Sequence, residues 1–542
     1  MRKVLLTERS WTELFPVMLI ISVGLYQIGT VAADPDLWGY LAFGRLFWNS
    51  AQFPLRDVFS YVPTLYPWVY HEWLTGVLFY PIYVKFGGEG LQLLKYVLGL
   101  TTFGLIYLTA RNRGNSPLGC AIGVCLVIRG WAYSPVRAQV FTCLFFALTL
   151  YLVDTARLRQ NGRRLWFVVF IMVLWCNLHG GFLMGLGLIG LYCIGALISR
   201  HRFSQYAGIL LLSGLVTLIN PYGLNYWSFL VRAISMPRPE IYEWASIQKA
   251  FQLGYVSRTE IVNLAAMILL GLFLMMRTRW KDITAGLALS VTLVLGLLHI
   301  RHLVFYYLLM GAFLPSLFTY YIQEMQFNPK FIKMSNRASK TCLLFVVTLI
   351  SAWAFVGFIQ KFPLRLEIIS KPDLVGRTTQ LYYPVGAVTY IQQRRLSGNI
   401  LTEFGWGEYL IWKLYPACKI ALDGRYETVY PDEVTRSYFE FFKAGQSCQF
   451  VRDYPPDMIL LAIRPKVYEM IKSGNKWQEI YSDAGSVLFI RGDKQFATRH
   501  LTDRVVSSRS PYINHRSGGK ADGAMNKYSR VPAGKENSSL GN

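Results

Sequence analysis

Eleven runs of apolar residues, most of them long enough to cross a bilayer, limit what this chain can fold into. They fall at about 13–33, 90–110, 117–131, 138–154, 165–178, 180–199, 205–221, 259–276, 283–299, 303–322 and 341–359. A run of roughly 18 apolar residues with few charges spans the hydrocarbon layer. No water is available there to bond a free backbone group, so each run reads as a helix. The expected fold is an all-α polytopic membrane protein with about 11 crossings. Composition agrees: 53% of the 542 residues are hydrophobic and only 16% charged, where soluble domains carry about 25% charged residues.

The loops between the runs alternate in character. Arg111 and Arg113, then Arg157, Arg159, Arg163 and Arg164, Arg200 and Arg202, Arg277, Arg279 and Lys281, and Lys330, Lys333, Arg337 and Lys340 mark one set. The other set holds Asp34 to Glu72, Arg137, His179, Asn220 to Glu260, and Arg301 with His302. Retention of Lys and Arg on the cytoplasmic side places the first set inside and the second outside. The same rule accounts for the net charge of +24 without a nucleic-acid partner, and no basic, aromatic-interleaved module is present. The expectation is an integral multi-pass protein of a bacterial inner membrane, with its N-terminus cytoplasmic on an uncleaved first helix and its C-terminal region outward. Residues 73–86 are apolar but short for a crossing, and are assigned to an interfacial or re-entrant helix on the outer side.

Residues 34–88 form a first outer loop dense in Trp, Tyr and Phe, residue types that favour the headgroup level. Within it, 36–49 reads as a helix lying along the interface, followed by a loop punctuated by Pro54, Pro63 and Pro67. Residues 1–360 are thus expected to form the transmembrane domain. Residues 383–495 read as an outward α/β domain, with strands at 399–402, 418–422, 457–462 and 485–490 and helices near 384–395, 406–415, 432–445 and 465–473. From 496 to 542 the chain is polar and aperiodic and is assigned as a disordered tail. The eight cysteines lack zinc spacing. Six lie in apolar runs and are expected to fill helix interiors, while Cys418 and Cys448 could pair in an oxidising compartment.

Asp34 and Asp36 stand at the outer end of the first helix. Asp34 before Pro35 suits a helix N-cap, and Asp36 suits the positive end of the helix dipole. Either carboxylate could also serve as general base toward an acceptor hydroxyl or amine. His71 and Glu72 lie where the outer loop returns to the bilayer, and burial would disfavour the charged form of Glu72. Asp57 is expected to cap the turn at Phe59 and Ser60. Arg129, Arg137, Arg301 and His302 break the charge pattern on the outward side. Such cations either snorkel to headgroups or meet an anion, and the arginine fork matches phosphate. His179 sits beside Gly180 and Gly181, which permit close approach of a ligand or of a neighbouring helix. Asp423-Gly424-Arg425 follows a strand and is read as a structural turn.

Several strings carry a resemblance: DPDLWGYLAFGR from Asp34, FPLRDVFSY from Phe53, WVYHEWL from Trp68, LWCNLHGGFLMG from Leu174, LINPYG from Leu218, IRHLVFYY from Ile300, FGWGEYLIW from Phe404 and ALDGRYE from Ala421. Together they resemble a bacterial multi-pass family within the GT-C superfamily of membrane glycosyltransferases, related to protein mannosyltransferases and the lipid A aminoarabinose transferase. The resemblance implies transfer of a sugar from a polyprenyl-phosphate carrier to a lipid, glycan or protein acceptor on the extracytoplasmic side. It implies that a first-loop Asp is essential. Asp34 matches it by position and Glu72 resembles a second acidic residue of that family. Pro35 stands where relatives often have an acidic residue, which leaves the choice between Asp34 and Asp36 open.

The expectation is therefore a hexosyltransferase-like enzyme with catalytic carboxyls at Asp34, Asp36 and Glu72 and substrate-binding groups at His71, Arg137, His179, Arg301 and His302. No cofactor is expected. Two or three carboxylates would allow a divalent metal but do not favour one. A transporter or flippase for a lipid-linked or anionic solute is the rival, as is a non-catalytic assembly protein that binds through 383–495.

Overall fold

The computed structural model describes residues 2–50, 52–128, 135–278, 282–324, 337–361, 364–372, 382–444, 449–463, 465–474 and 476–492. Residues 496–542, expected to be a disordered tail, and Arg129 and Cys448 lie outside the described residues. Each predicted apolar run falls on a helix: α1 (Arg2–Ile28), α3 (Trp73–Asn112), α4 (Pro117–Ile128), α5 (Gln139–Leu158), α6 (Trp166–Leu178), α7 (Phe182–Ile198), α8 (Phe203–Val216), α11 (Arg258–Arg277), α12 (Ile283–Leu298), α13 (Leu303–Glu324) and α14 (Arg337–Gln360). Five of the described helices are long and apolar enough to cross a membrane, and five more apolar helices are shorter. The windows of α11 and α14 are only 22% buried, and Leu269, Met276, Phe345 and Trp353 point outward from them. A surface that apolar requires lipid around it, so this is an integral membrane protein.

The helix expected over 36–49 is α2 (Pro35–Ser50), and Leu37 to Gly44 of it are buried in protein. Residues 73–86 form the short separate helix expected. It ends at Gly87, whose φ of 66° and ψ of −159° are non-helical and which a glycine adopts without a Cβ clash; a second helix follows, so α3 is two helices joined across this kink. In the 220–257 loop, α9 (Leu224–Ser235) and α10 (Ile247–Gln252) are helices that no apolar run predicts.

The C-terminal sheet is formed by β1 (Gly398–Thr402), β2 (Cys418–Ile420), β3 (Met458–Ala462), β4 (Trp477–Ser482) and β5 (Ser486–Arg491), in the order β2-β1-β3-β5-β4. β1 pairs in parallel with β2 and β3, and β5 pairs antiparallel with β3 and β4. The predicted helices appear as α15 (Val385–Gln393), α16 (Gly407–Leu414), α18 (Asp432–Ala444) and α20 (Pro465–Lys472), joined by the short α17 (Tyr426–Val429) and α19 (Gln449–Asp453). β4 was not expected: as an edge strand it alternates polar with half-buried residues and has no apolar run.

Two hydrophobic cores result. One lies among the membrane helices. The second joins Leu37, Trp38, Phe43, Phe59 and Trp68 of the first outer loop to Ile400, Ile420, Leu460 and Leu488 of the sheet. The outer loop also extends the sheet: the amide of Ile420 donates to Phe59 O at 2.9 Å and that of Tyr61 to Ile420 O at 3.3 Å. Arg425 locks the junction. It pairs with Asp57, donates to Asp423 at 2.7 and 2.8 Å, and is fully enclosed with both carboxylates. Asp57 also accepts the Ser60 amide at 2.8 Å, the turn cap its position predicts. Four of the membrane-run cysteines are buried; Cys125 is half-buried and Cys342 exposed, so neither fills an interior as expected. Cys418 is a buried free thiol.

Candidate functional site

Asp34 stands between α1 and α2. Its Oδ1 accepts the Asp36 amide at 3.1 Å and its carbonyl accepts the Leu37 amide at 3.2 Å, so it caps α2 with Pro35 at the first helical position. The side chain is buried. Burial pushes its carboxyl up to about 7; Arg137 opposes this, while Asp36 and Glu243 reinforce it. Asp36, two residues along, is more open and is raised by burial as well.

Arg137, just before α5, gathers the carboxylates. Its Nη2 donates to Asp36 Oδ2 at 2.8 Å, its Nη1 to Glu243 Oε1 at 2.8 Å, and Nη1 lies 3.9 Å from Asp34 Oδ2. Its Nε is buried with no hydrogen-bond partner among the described residues. Burial alone would raise Glu243, but Arg137 and Arg301 outweigh it and hold that carboxyl below its usual range. Asp36 and Glu243 therefore satisfy the guanidinium directly. Asp34 sits at the margin of its field.

Glu72 lies at the head of α3. Its Oε2 accepts from Tyr40 at 3.0 Å, and its Oε1 is 3.3 Å from His179 Nε2 and 3.7 Å from His71 Nε2. The Gly181 amide donates to His179 Nδ1 at 2.9 Å, and Thr142 Oγ1 is 2.7 Å from the same atom. An accepting Nδ1 leaves the proton on Nε2, aimed at Glu72. Burial raises Glu72 to about 8 and lowers His71 to about 4. It also holds His179 well below the usual imidazole value.

The loop after α9 supplies the third side. Trp244 lies between two guanidiniums, Arg238 at 4.3 Å and Arg301 at 4.6 Å from its ring centroid. The His302 ring is 6.2 Å away, with Nδ1 buried and unpartnered among the described residues. Arg238 continues to Glu427 at 3.2 Å, in the C-terminal unit. Every predicted site residue thus falls in one neighbourhood, linked from Asp34 through Arg137 and Glu243 to Trp244, Arg301 and His302, and from Asp36 through its charge coupling to Glu72 and the two histidines.

Sequence reasoning did not single out Tyr40, Thr142, Arg238, Glu243, Trp244, Glu408 or Glu427. The rule that flagged Arg137 and Arg301, a cation in an outward loop, applies equally to Arg238. The carboxylates at 243, 408 and 427 had no local pattern to mark them. Among the described residues no group of three or more His, Cys, Asp or Glu is placed to hold a metal ion.

A second charged cluster marks the far end of α5. Arg113 donates to Asp154 at 2.6 and 2.9 Å and to Asp282 at 3.0 Å, and Arg157 to Asp282 at 2.6 and 2.7 Å. Twenty residues of α5 separate the clusters by about 30 Å, the thickness of the hydrocarbon core.

No family model and no curated protein sequence matches this chain. Solved structures do. The oligosaccharyltransferase of Archaeoglobus fulgidus, tethered to an acceptor peptide containing the NVT sequon, superposes with a TM-score of 0.51 at 10% identity, covering 88% of this chain and 73% of that one. ArnT from Cupriavidus metallidurans bound to undecaprenyl phosphate gives 0.48 at 15% identity, covering 89% and 98%, and its apo form 0.49 at 14%. At 10% identity the first likeness shows that this chain shares its fold with that oligosaccharyltransferase.

Proposed function

We propose that the protein is a glycosyltransferase that moves a sugar from a polyprenyl-phosphate carrier to an acceptor on the extracytoplasmic side of a bacterial plasma membrane. The observation that carries this reading is Asp34. It is a buried carboxyl that caps α2, is pushed up to about 7, and stands beside a guanidinium whose direct partners are other groups. A general base works best with a pKa near the operating pH. Asp36, tied to Arg137 at 2.8 Å, is the poorer base.

In the proposed inverting step the acceptor's hydroxyl or amine attacks the anomeric carbon as its proton passes to Asp34. The bond from that carbon to the phosphate oxygen breaks, and the polyprenyl phosphate leaves with the electron pair. Phosphate is already a competent leaving group, so the protein's task is positioning and charge neutralisation. Arg137 and Arg301 supply the charge and His302 a hydrogen bond, while Glu72, His71 and His179 orient the acceptor. The reaction so written uses no cofactor. The cluster around Arg113 and Arg157 belongs at the cytoplasmic face by the positive-inside rule, which directs the Asp34 end outward across about 11 crossings.

The test is mass spectrometry of lipid-linked sugars and surface glycans in a deletion strain. A polyprenyl-phosphate sugar should accumulate and be consumed again when the wild-type gene returns, but not when Asp34→Asn does. Full restoration by Asp34→Asn would remove the assignment.

A further inference from the structure

The C-terminal unit reaches the acidic motif through one side chain. Glu408, in the first turn of α16, is 4% exposed, and its Oε2 accepts the amide of Gly39 in α2 at 3.0 Å. A Cβ at Gly39 would stand 2.4 Å from Glu408 Oε2. One at Gly424 would stand 2.8 Å from Glu408 Oε1 and 3.4 Å from Asp36 Oδ1. The carboxyl thus fills a slot walled by two glycines, one of which it shares with Asp36. The charged and titratable groups facing it are Asp36 of α2, Tyr70 of the outer loop, and Asp423 and Arg425 of the turn after β2.

Arg137 already serves Asp36 and Glu243, and Arg425 serves Asp57 and Asp423. Among the described residues no cation forms an ion pair with Glu408; burial, with Asp36 and Asp423 close by, outweighs the field of Arg425 and pushes its carboxyl well above the usual range. A neutral acid can still accept the Gly39 amide.

We propose that Glu408 is a positioning residue of the transfer site: it seats the first turns of α2, and with them Asp34 and Asp36, against Arg137, so that transfer requires the C-terminal unit. The kinetic consequence rests on the transferase reading above; the seating itself does not.

The experiment uses the full chain in lipid nanodiscs with two readouts. In hydrogen–deuterium exchange, Glu408→Ala and the shorter Glu408→Asp should expose the amides of residues 35–45, while Glu408→Gln should not; exchange over α18 reports whether each variant is folded. In release of polyprenyl phosphate from synthetic polyprenyl-phosphate hexoses, with envelope extract of the deletion strain as the source of acceptor, Ala and Asp should lower kcat about tenfold or more with KM for the lipid within about twofold. Gln should stay within about threefold of wild type and keep the same acid limb of the pH profile. Wild-type exchange and turnover in folded Glu408→Asp would overturn the proposal. So would failure of Glu408→Gln alongside Ala, because a charge would then be required at this position. If the wild-type protein releases no polyprenyl phosphate, the transferase reading falls while the exchange data still decide the seating.

Discussion

Asp34 combines capping and, on the proposed reading, proton transfer in one carboxyl, and the two roles leave different signatures. Cap formation needs only an acceptor oxygen, which asparagine provides; base catalysis needs an ionisable group. Asp34→Asn should therefore fold normally and lose transfer by about 100-fold or more, the lower bound for a general base, measured as turnover of a lipid-linked sugar. The pKa of about 7 fixes the direction of the pH dependence. A base must be ionised, so turnover should fall as pH is lowered through that value, and the limb should vanish from the residual activity of the variant. The stability effect runs the other way. The folded protein keeps a proton between the unfolded value of 3.8 and about 7, so it loses stability as pH rises through that window. Asp34→Asn should lose less melting temperature than wild type between about pH 5 and pH 8. The sequence located Asp34, Arg137 and Arg301 because each is anomalous locally, as an acid before a proline or a cation on the wrong side. Glu408 and Glu243 acquire their meaning from partners hundreds or scores of residues away, and nothing near them in the chain announces it.

Among the elements, the membrane helices were the most legible, because each must be apolar over its own length. α2 was equally so, found within a residue of its expected limits. What its sequence did not reveal is how closely it packs. A Cβ at Gly44 of α2 would stand 2.2 Å from the carbonyl oxygen of Gly76 in α3, which is backbone and cannot swing aside. Gly44→Ala should force the helices apart and cost about 1–3 kcal/mol, read as a lower melting temperature and weaker expression. Residues 73–86 stand out as a short helix by length alone, while the Gly87 break that ends it and bends α3 is invisible to hydropathy. β4 was missed because an edge strand has one partner and can stay polar.

For the whole molecule, the outer loop and the C-terminal sheet share one core, and Arg425 is its buried ionic centre, facing Asp57 from one side and Asp423 from the other. Arg425→Ala would strand two buried carboxylates and should cost about 3–5 kcal/mol, seen as loss of monodisperse protein after detergent extraction. The alternating strands and helices of 383–495 read as a separate domain. The docking was hidden in the aromatic outer loop, whose rings suit a headgroup surface and a protein core equally well. Removing residues 383–542 should therefore abolish transfer rather than acceptor capture alone. The reading as a whole depends on chemistry occurring where Asp34, Arg137 and Arg301 converge. Its most direct test is to supply purified protein in nanodiscs with radiolabelled polyprenyl-phosphate sugars and, as the source of acceptor, envelope extract of the deletion strain, and to follow release of the polyprenyl phosphate. The account predicts release by the wild-type protein and a signal at background for Asp34→Asn of equal folded yield; equal release by both, or none by either across the hexose series, would contradict it.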